Sequence, residues 1–371
     1  MIYFDSAATT LQKPDSVPAA VAGAISTMTT PGRGDHSAAR LAADLMLRCR
    51  TEAAELFDVS QPDNVILTTS ATHGLNTAIR SLVSPGDTVV ISGYEHNAVT
   101  RTLLAIGGVS CRIVNAGLFN REQMAEGFRR AVDGQVKAVI CTHTSNVFGY
   151  TLPMDGIAGI CREKGVPLIV DASQSAGIHP VSVKSWGAAY IAMPGHKGLY
   201  GPQGTGLLLC GDGFVPAPLM TGGTGSLSRQ QEMPDFLPDR LEAGTQNVHG
   251  AAGLLEGILF VRSTGLEKIR HKESEVIRAL SEGLRDREDF RVFSDPQGES
   301  SVLSILPLRT PPETLAGRLA EQEVAVRAGL HCAPLAHRTV GTEETGTLRF
   351  SASAFNTPEE AETVLRMMKK W

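Results

Sequence analysis

The sequence predicts an α/β protein built on a mainly parallel sheet, with a smaller α+β region towards its C-terminal end. Three observations carry that expectation. Short, continuous apolar runs alternate with helical stretches through the first two thirds of the chain. Glycine is abundant, at 38 of 371 residues, while aromatics make up only 5%. The texture then changes after residue 255, where amphipathic patterns replace the buried runs. Continuous apolar strands separated by helices imply a parallel sheet covered on both faces. A glycine-rich, aromatic-poor chain suits such a fold with many tight loops.

The strands follow in order. Val65-Ile66-Leu67-Thr68 reads as the first, and Leu75, Ala78, Ile79 and Leu82 follow it at helical spacing. Val89-Val90-Ile91, Ala138-Val139-Ile140, Leu168-Ile169-Val170, Tyr190-Ile191-Ala192 and Leu207-Leu208-Leu209 complete the series. Beyond residue 255, Leu266, Ile269, Val276, Ile277, Leu280 and Leu284 mark a long amphipathic helix. Two further strands are expected at Val302–Leu306 and Thr347–Phe350. Thr357-Pro358-Glu359-Glu360 opens the last helix with a cap, a proline at N1 and a glutamate at N3. The expected division is a large domain over 13–255 and a small one made of 1–12 plus 256–371. No internal repeat or low-complexity tract interrupts it.

Composition narrows the function. Lys and Arg total 34 against 39 Asp and Glu, a net charge of −5 that offers no general attraction to nucleic acid or anionic lipid. Hydrophobic residues at 42% and charged residues at 20% are ordinary for a globular chain, not a disordered one. No apolar run is long enough to span a bilayer, and no signal peptide is evident, so a reducing cytoplasm is the expected compartment. The six cysteines, Cys49, Cys111, Cys141, Cys161, Cys210 and Cys332, form no C-x-x-C pair and no metal-binding cluster with His. Five sit among apolar or small neighbours and are expected to be buried packing residues. Cys332 stands apart.

The chemistry concentrates at strand ends. In Tyr190-Ile-Ala-Met-Pro-Gly-His196-Lys197-Gly-Leu-Tyr-Gly-Pro-Gln-Gly-Thr-Gly206, a strand runs into a glycine-rich loop without the order of a P-loop. A lysine there suits Schiff-base chemistry, because partial burial would lower its pKa and free the amine. A solvated loop lysine is the commoner meaning of such a residue. Asp171, in Leu168-Ile-Val-Asp171-Ala-Ser-Gln174, falls where open α/β sheets place their ligands. It suits either the protonated ring nitrogen of pyridoxal phosphate or a helix N-cap. Thr68-Thr-Ser-Ala71-Thr72-His73-Gly offers helix N-terminal N–H groups to a phosphate, though ordinary capping needs the same residues. In Glu95-His96-Asn97, the imidazole follows a strand and could cover a flat cofactor.

These pieces, in this order, resemble the fold-type I pyridoxal-phosphate enzymes of aminotransferase class V, specifically the cysteine desulfurase and selenocysteine lyase group. The resemblance runs from Tyr3-Phe-Asp-Ser-Ala-Ala-Thr-Thr to Phe355-Asn-Thr. It implies that Lys197 bonds the cofactor, Asp171 pairs with the ring nitrogen and His96 stacks on the ring. It also implies that Gln174 touches the phenolate oxygen, with Asn146 near that oxygen and the substrate. Ala71, Thr72 and His196 would contact the phosphate, and Thr245 would reach it from a partner subunit, which implies a homodimer. Arg349 would take the substrate carboxylate, guanidinium matching carboxylate bidentately. Arg327 and His36 would also face the substrate, His36 through the segment Gly32-Arg33-Gly34-Asp35-His36-Ser37. That segment contains an Arg-Gly-Asp tripeptide, an adhesion-type match with no meaning in a protein lacking an export signal.

One segment selects among the family's reactions. Arg327-Ala-Gly-Leu-His331-Cys332-Ala-Pro resembles the cysteine-bearing loop of type II desulfurases. Without the resemblance, a reactive thiolate and a buried core cysteine both fit it. With it, the implied reaction converts L-cysteine to L-alanine. Freed Lys197 removes the α-proton, and Cys332 takes the sulfur as a persulfide for a sulfur-acceptor protein. Either His96 or His331 could assist proton transfer. Selenocysteine and cysteine sulfinate remain alternative substrates. Other class V reactions and an idle sulfur-carrier paralogue are the further alternatives. Two departures stand out: Pro194 replaces a serine of the closest desulfurases, and an extra glycine, Gly198, follows the lysine.

Overall fold

The computed structural model describes residues 1–32 and 34–369. Arg33, which belongs to the Gly32–Ser37 motif, lies outside the described residues. The centre is a seven-stranded sheet. Its strands run in the spatial order Val65–Thr68, Gly206–Cys210, Tyr190–Pro194, Leu168–Asp171, Val136–Thr142, Thr88–Ser92 and Ser110–Val114. All pairings are parallel except the two made by Gly206–Cys210.

The sheet is buried on both faces, and its side chains sort by the two-residue period of a strand. Val139, Cys141, Val170 and Ile191 enter one apolar cluster, while Ala138, Ile140, Ile169 and Ala192 enter the other. Both alternating sets are apolar, which is why the strands read as continuous runs in the sequence. The edge strand Ser110–Val114 shows no such run, because Ser110, Cys111 and Ile113 face solvent.

A second, four-stranded antiparallel sheet lies in the C-terminal region, in the order Arg327–Gly329, Thr347–Ser351, Val302–Pro307, Phe290–Phe293. Leu303, Ile305, Leu348 and Phe350 pack there against Val276, Ile277, Leu280 and Leu284 of the helix Leu266–Arg285. Phe4 enters the same cluster from the N-terminal segment. The helix Val248–Thr264 runs unbroken through residue 255, so the change of texture falls inside a helix. The last helix carries the full capping box, with Thr357 and Glu360 bonded reciprocally.

One buried ion pair ties the long irregular segment before Val248 to the core. Arg50 donates Nη1 and Nη2 to the two carboxylate oxygens of Glu242 at 2.7 and 2.6 Å. Its Nη1 also donates to Val65 O at 2.6 Å, and Glu242 accepts from Leu67 N at 2.7 Å. Removing one partner of such a pair leaves a buried charge uncompensated. Glu242→Ala should therefore lower unfolding stability by about 3–5 kcal/mol in chemical denaturation. A loss under about 1 kcal/mol would show the pair to be dispensable.

Candidate active site

Four parallel strands end on one side of the central sheet, where α/β folds place their ligands. Leu168–Asp171 delivers Asp171, and Tyr190–Pro194 leads into His196 and Lys197. Thr88–Ser92 leads to Glu95 and His96, and Val136–Thr142 leads to Asn146. Asp171, Lys197, His96, Asn146 and Gln174 line one cleft. Ala71, Thr72 and His196 complete its wall, and Pro194 lies at its floor with them. Counting its open mouth, the cleft holds about 510 Å3 of empty space.

The electrostatics follow from burial. Lys197 is pushed down to about 8 by burial; Asp171 opposes that shift, and Arg349 and Arg327 add to it. Asp171 is 2% exposed. Its Oδ1 accepts from Ser173 N at 2.9 Å, and no cation forms an ion pair with it among the described residues. His96 caps the helix Asn97–Ile106 through Nδ1, which accepts from Ala98 N at 3.0 Å. That bond leaves the ring proton on Nε2, and burial lowers the pKa of the ring. His196 shares a 3.0 Å hydrogen bond with Thr9 Oγ1 and is pushed down to about 4 by burial and by Lys197.

Glu95 was not singled out from the sequence. It is fully buried, accepts from the Ser92 hydroxyl and from Thr142 N (2.9 Å), and is pushed up to about 8 by burial. A second carboxyl behind the cleft is thus held neutral at pH 7, which limits the charge around Asp171.

These residues fit pyridoxal phosphate. A buried carboxylate without a cation of its own suits a protonated ring nitrogen. The helix Ala71–Leu82 is capped by Ser70, which accepts from His73 N at 3.2 Å. The N–H groups of Ala71 and Thr72 are left for an anion. Gln174 anchors its amide on Ala7 O at 3.0 Å while lining the cleft. Pro194 offers no N–H there. Gly198 is required by packing: a Cβ at that position would collide with Ala176 O, and one at Gly177 (φ 84°) would collide with Gly198 O.

The sulfur-accepting candidate sits at the rim. Cys332 is exposed, and both it and His331 adopt left-handed backbone angles, with φ of 57° and 50°. Two hydrogen bonds fasten this turn to the cleft wall. Asn97 N donates to Cys332 O at 2.8 Å, and Asn146 Nδ2 donates to His331 O at 2.7 Å. The His331 ring is buried, stacked on His337 and held near Thr347 O at 3.2 Å. Burial pushes it down to about 2, so it stays neutral under the loop.

Arg349 and Arg327 face each other across adjacent strands. Arg349 pairs with Asp5 at 2.8 Å and donates to Asn146 O at 2.9 Å. Cys332, Arg327 and Arg349 are not among the residues lining the cleft, and Thr245 and His36 lie apart from it as well. Thr245 is exposed and lines a neighbouring depression with Thr69, His73 and Thr205. His36 is exposed and caps the helix Ser37–Leu56, accepting from Ala39 N at 3.3 Å. One cysteine expectation needs correction: Cys111 is exposed rather than buried, because it lies on the solvent side of an edge strand. Cys49, Cys141, Cys161 and Cys210 are buried as expected.

The comparisons with known proteins agree with this geometry. Residues 2–364 match the family described as aminotransferase class-V. The chain belongs to that family. A probable cysteine desulfurase of Methanothermobacter thermautotrophicus is 31% identical over 372 residues, spanning 97% of this chain and 92% of that protein. A probable cysteine desulfurase of Mycolicibacterium paratuberculosis is 29% identical over 381 residues; this chain spans 55% of that longer protein's length. The apo structure of a cysteine desulfurase from Thermococcus onnurineus NA1 superposes with a TM-score of 0.88 at 27% identity, covering 100% of this chain and 94% of that one. Among the described residues, no helix is long and apolar enough to cross a membrane.

Lys197 carries a testable signature. Its folded pKa, about 8, lies below its ordinary 10.5. Between those values the unfolded chain holds more protons, so stability rises with pH across that window. Lys197→Met should raise the thermal midpoint of the cofactor-free protein at about pH 7, and the gain should shrink towards about pH 10. An equal gain at both values would mean that packing, not charge, sets the effect.

Proposed function

We propose that this chain is a pyridoxal-phosphate-dependent cysteine desulfurase: L-cysteine and the Cys332 thiol give L-alanine and a Cys332 persulfide. The observation that carries this reading is the attachment of the Cys332 turn to the cleft wall. Its carbonyl is bonded to the residue next to His96 at 2.8 Å, which holds an exposed thiol beside the site of the amino acid.

Pyridoxal phosphate, when bound, supplies an electron sink that loosens bonds around the α-carbon of an amino acid. Lys197 anchors it and, once free, holds the α-proton on Nζ; its lowered pKa leaves more free amine near neutrality than an ordinary lysine has. Asp171 would pair with the ring nitrogen, and His96, neutral with its proton on Nε2, would stack on the ring. Ala71, Thr72 and His196 would hold the phosphate, and Gln174 and Asn146 would border the phenolate side. Arg349 and Arg327 receive the substrate carboxylate. Cys332 sulfur attacks the substrate sulfur: the S–S bond forms, the Cβ–S bond breaks, and its electron pair stays with the substrate carbon. Protonation of that carbon and return of a proton to the α-carbon complete alanine.

Thr245, exposed outside the cleft, suits a role at the phosphate of a second copy in a homodimer, and His36 suits a place at the mouth of the same site. A persulfide on an exposed turn can be read by an acceptor protein. The reducing cytoplasm suits such a thiol.

Cys332→Ala should lower alanine formation from L-cysteine by at least roughly 100-fold, with no persulfide on the protein. Lys197→Ala should give colourless protein after incubation with pyridoxal phosphate. Undiminished alanine formation by Cys332→Ala would remove the thiol from the reaction. Selenocysteine or cysteine sulfinate turnover that survives in that variant would instead favour the lyase or desulfinase reaction.

A further inference from the structure

Asp5 lies on the N-terminal segment and has no chemical task in the mechanism above. Its Oδ1 accepts from Arg349 Nη2 at 2.8 Å, while Arg349 Nη1 donates to Asn146 O at 2.9 Å. The Arg349 side chain is 1% exposed, and its Nε is buried without an acceptor. Directly across the strand pair lies Arg327, which forms no ion pair among the described residues. Like charges facing each other on neighbouring strands repel. Asp5 is therefore the one carboxylate that holds Arg349 in place against Arg327 among the described ion pairs.

Asp5 is itself fixed by its backbone neighbours. Phe4 N donates to Ala325 O at 2.8 Å, Ser6 N to Ser351 O at 3.3 Å, and Ala7 N to Ser351 Oγ at 2.8 Å. Asn356 Nδ2 holds Tyr3 O at 3.0 Å. Both halves of the ion pair thus stand on regular, hydrogen-bonded backbone rather than on a mobile loop.

We propose that Asp5 is a positioning residue for the substrate carboxylate, holding the Arg349 guanidinium by Nη2 in a fixed orientation against the repulsion of Arg327. The proposal rests on the desulfurase reading, which supplies the amino-acid carboxylate. With Nη1 on Asn146 O and Nη2 on Asp5, each Nη spends one of its two N–H groups on the protein and keeps another. A guanidinium fixed at two points needs no reordering when a carboxylate binds. Burial disfavours the charge of Arg349, and Asp5 offsets part of that cost.

The test uses the holoenzyme and two variants, Asp5→Asn and Asp5→Ala. Asp5→Ala should raise KM for L-cysteine at least about tenfold while kcat stays within about threefold, the pattern of lost binding shared by ground and transition states. Asp5→Asn, whose amide oxygen still accepts, should fall between it and the wild type. A second readout is independent of turnover. Formate should raise the thermal midpoint of Asp5→Ala, by filling the vacated carboxylate position, and by more than it raises that of the wild type. KM within twofold of wild type in both variants, a fall confined to kcat, or equal formate responses would overturn the proposal. Arg349→Ala separates the two levels. If it raises KM while Asp5→Ala does not, the Asp5 proposal fails and the desulfurase reading stands. If the wild type makes no alanine from L-cysteine, that reading fails, and the formate response still decides whether Asp5 holds Arg349.

Discussion

A buried carboxylate without a protein cation is the constraint on which the site depends. Asp171 ends a strand that is covered on both sides, where an unpaired charge is expensive. The surroundings are arranged so that nothing from the protein neutralises it. Glu95, the other carboxyl behind the cleft, is kept protonated by burial. His96 is kept neutral, and its Nδ1 is committed to the backbone. Lys197 feels the attraction of Asp171, yet burial and two arginines outweigh it. A cationic ring nitrogen is what this arrangement lacks, and class V chemistry brings one.

The same economy of partners governs the small sheet. Asn146 uses both ends of its residue: its carbonyl takes Arg349, and its side-chain amide takes the His331 carbonyl. The turn between them is strained, since neither histidine nor cysteine favours a left-handed backbone, and each such residue costs about 1–3 kcal/mol. The hydrogen bonds from Asn97 and Asn146 hold the turn in that shape. The strain has a consequence for the thiol: a relaxed turn would lie differently against the sheet, whereas this one leaves the Cys332 side chain exposed and its neighbours His331 and Ala333 buried.

What was legible in the sequence was whatever is written locally. Buried strands announce themselves because both alternating sets are apolar, and the reactive residues sit at the ends of those strands. Lys197, Asp171, His96 and Asn146 were found on that basis together with the family resemblance. Pairs joined only by the fold were not. Arg50 and Glu242 are separated by 192 residues, and Asp5 and Arg349 by 344. No window of sequence contains both members. Glu95 sat beside a noticed histidine, but its neutrality comes from burial under several elements. Cys111 was misjudged because small and apolar neighbours look alike on a core strand and on an edge strand.

These long-range pairs explain why the N-terminal segment matters to a site built mostly from later residues. Ile2–Tyr3 adds a parallel strand to Val324–Ala325, just before the strand that carries Arg327. Asp5 then bridges to Ser351, two residues beyond Arg349 on the same strand. Ala7 O holds the Gln174 amide, and Thr9 and Thr10 meet His196. Between Asp5 and Thr10 the chain touches Arg349, Gln174 and His196 in turn. It does so by bending: Ala8 N and Thr9 N both donate to Asp5 O, at 3.0 and 3.3 Å, and this turn at Ser6–Ala8 aims neighbouring residues in different directions, so one short segment braces groups delivered by separate elements.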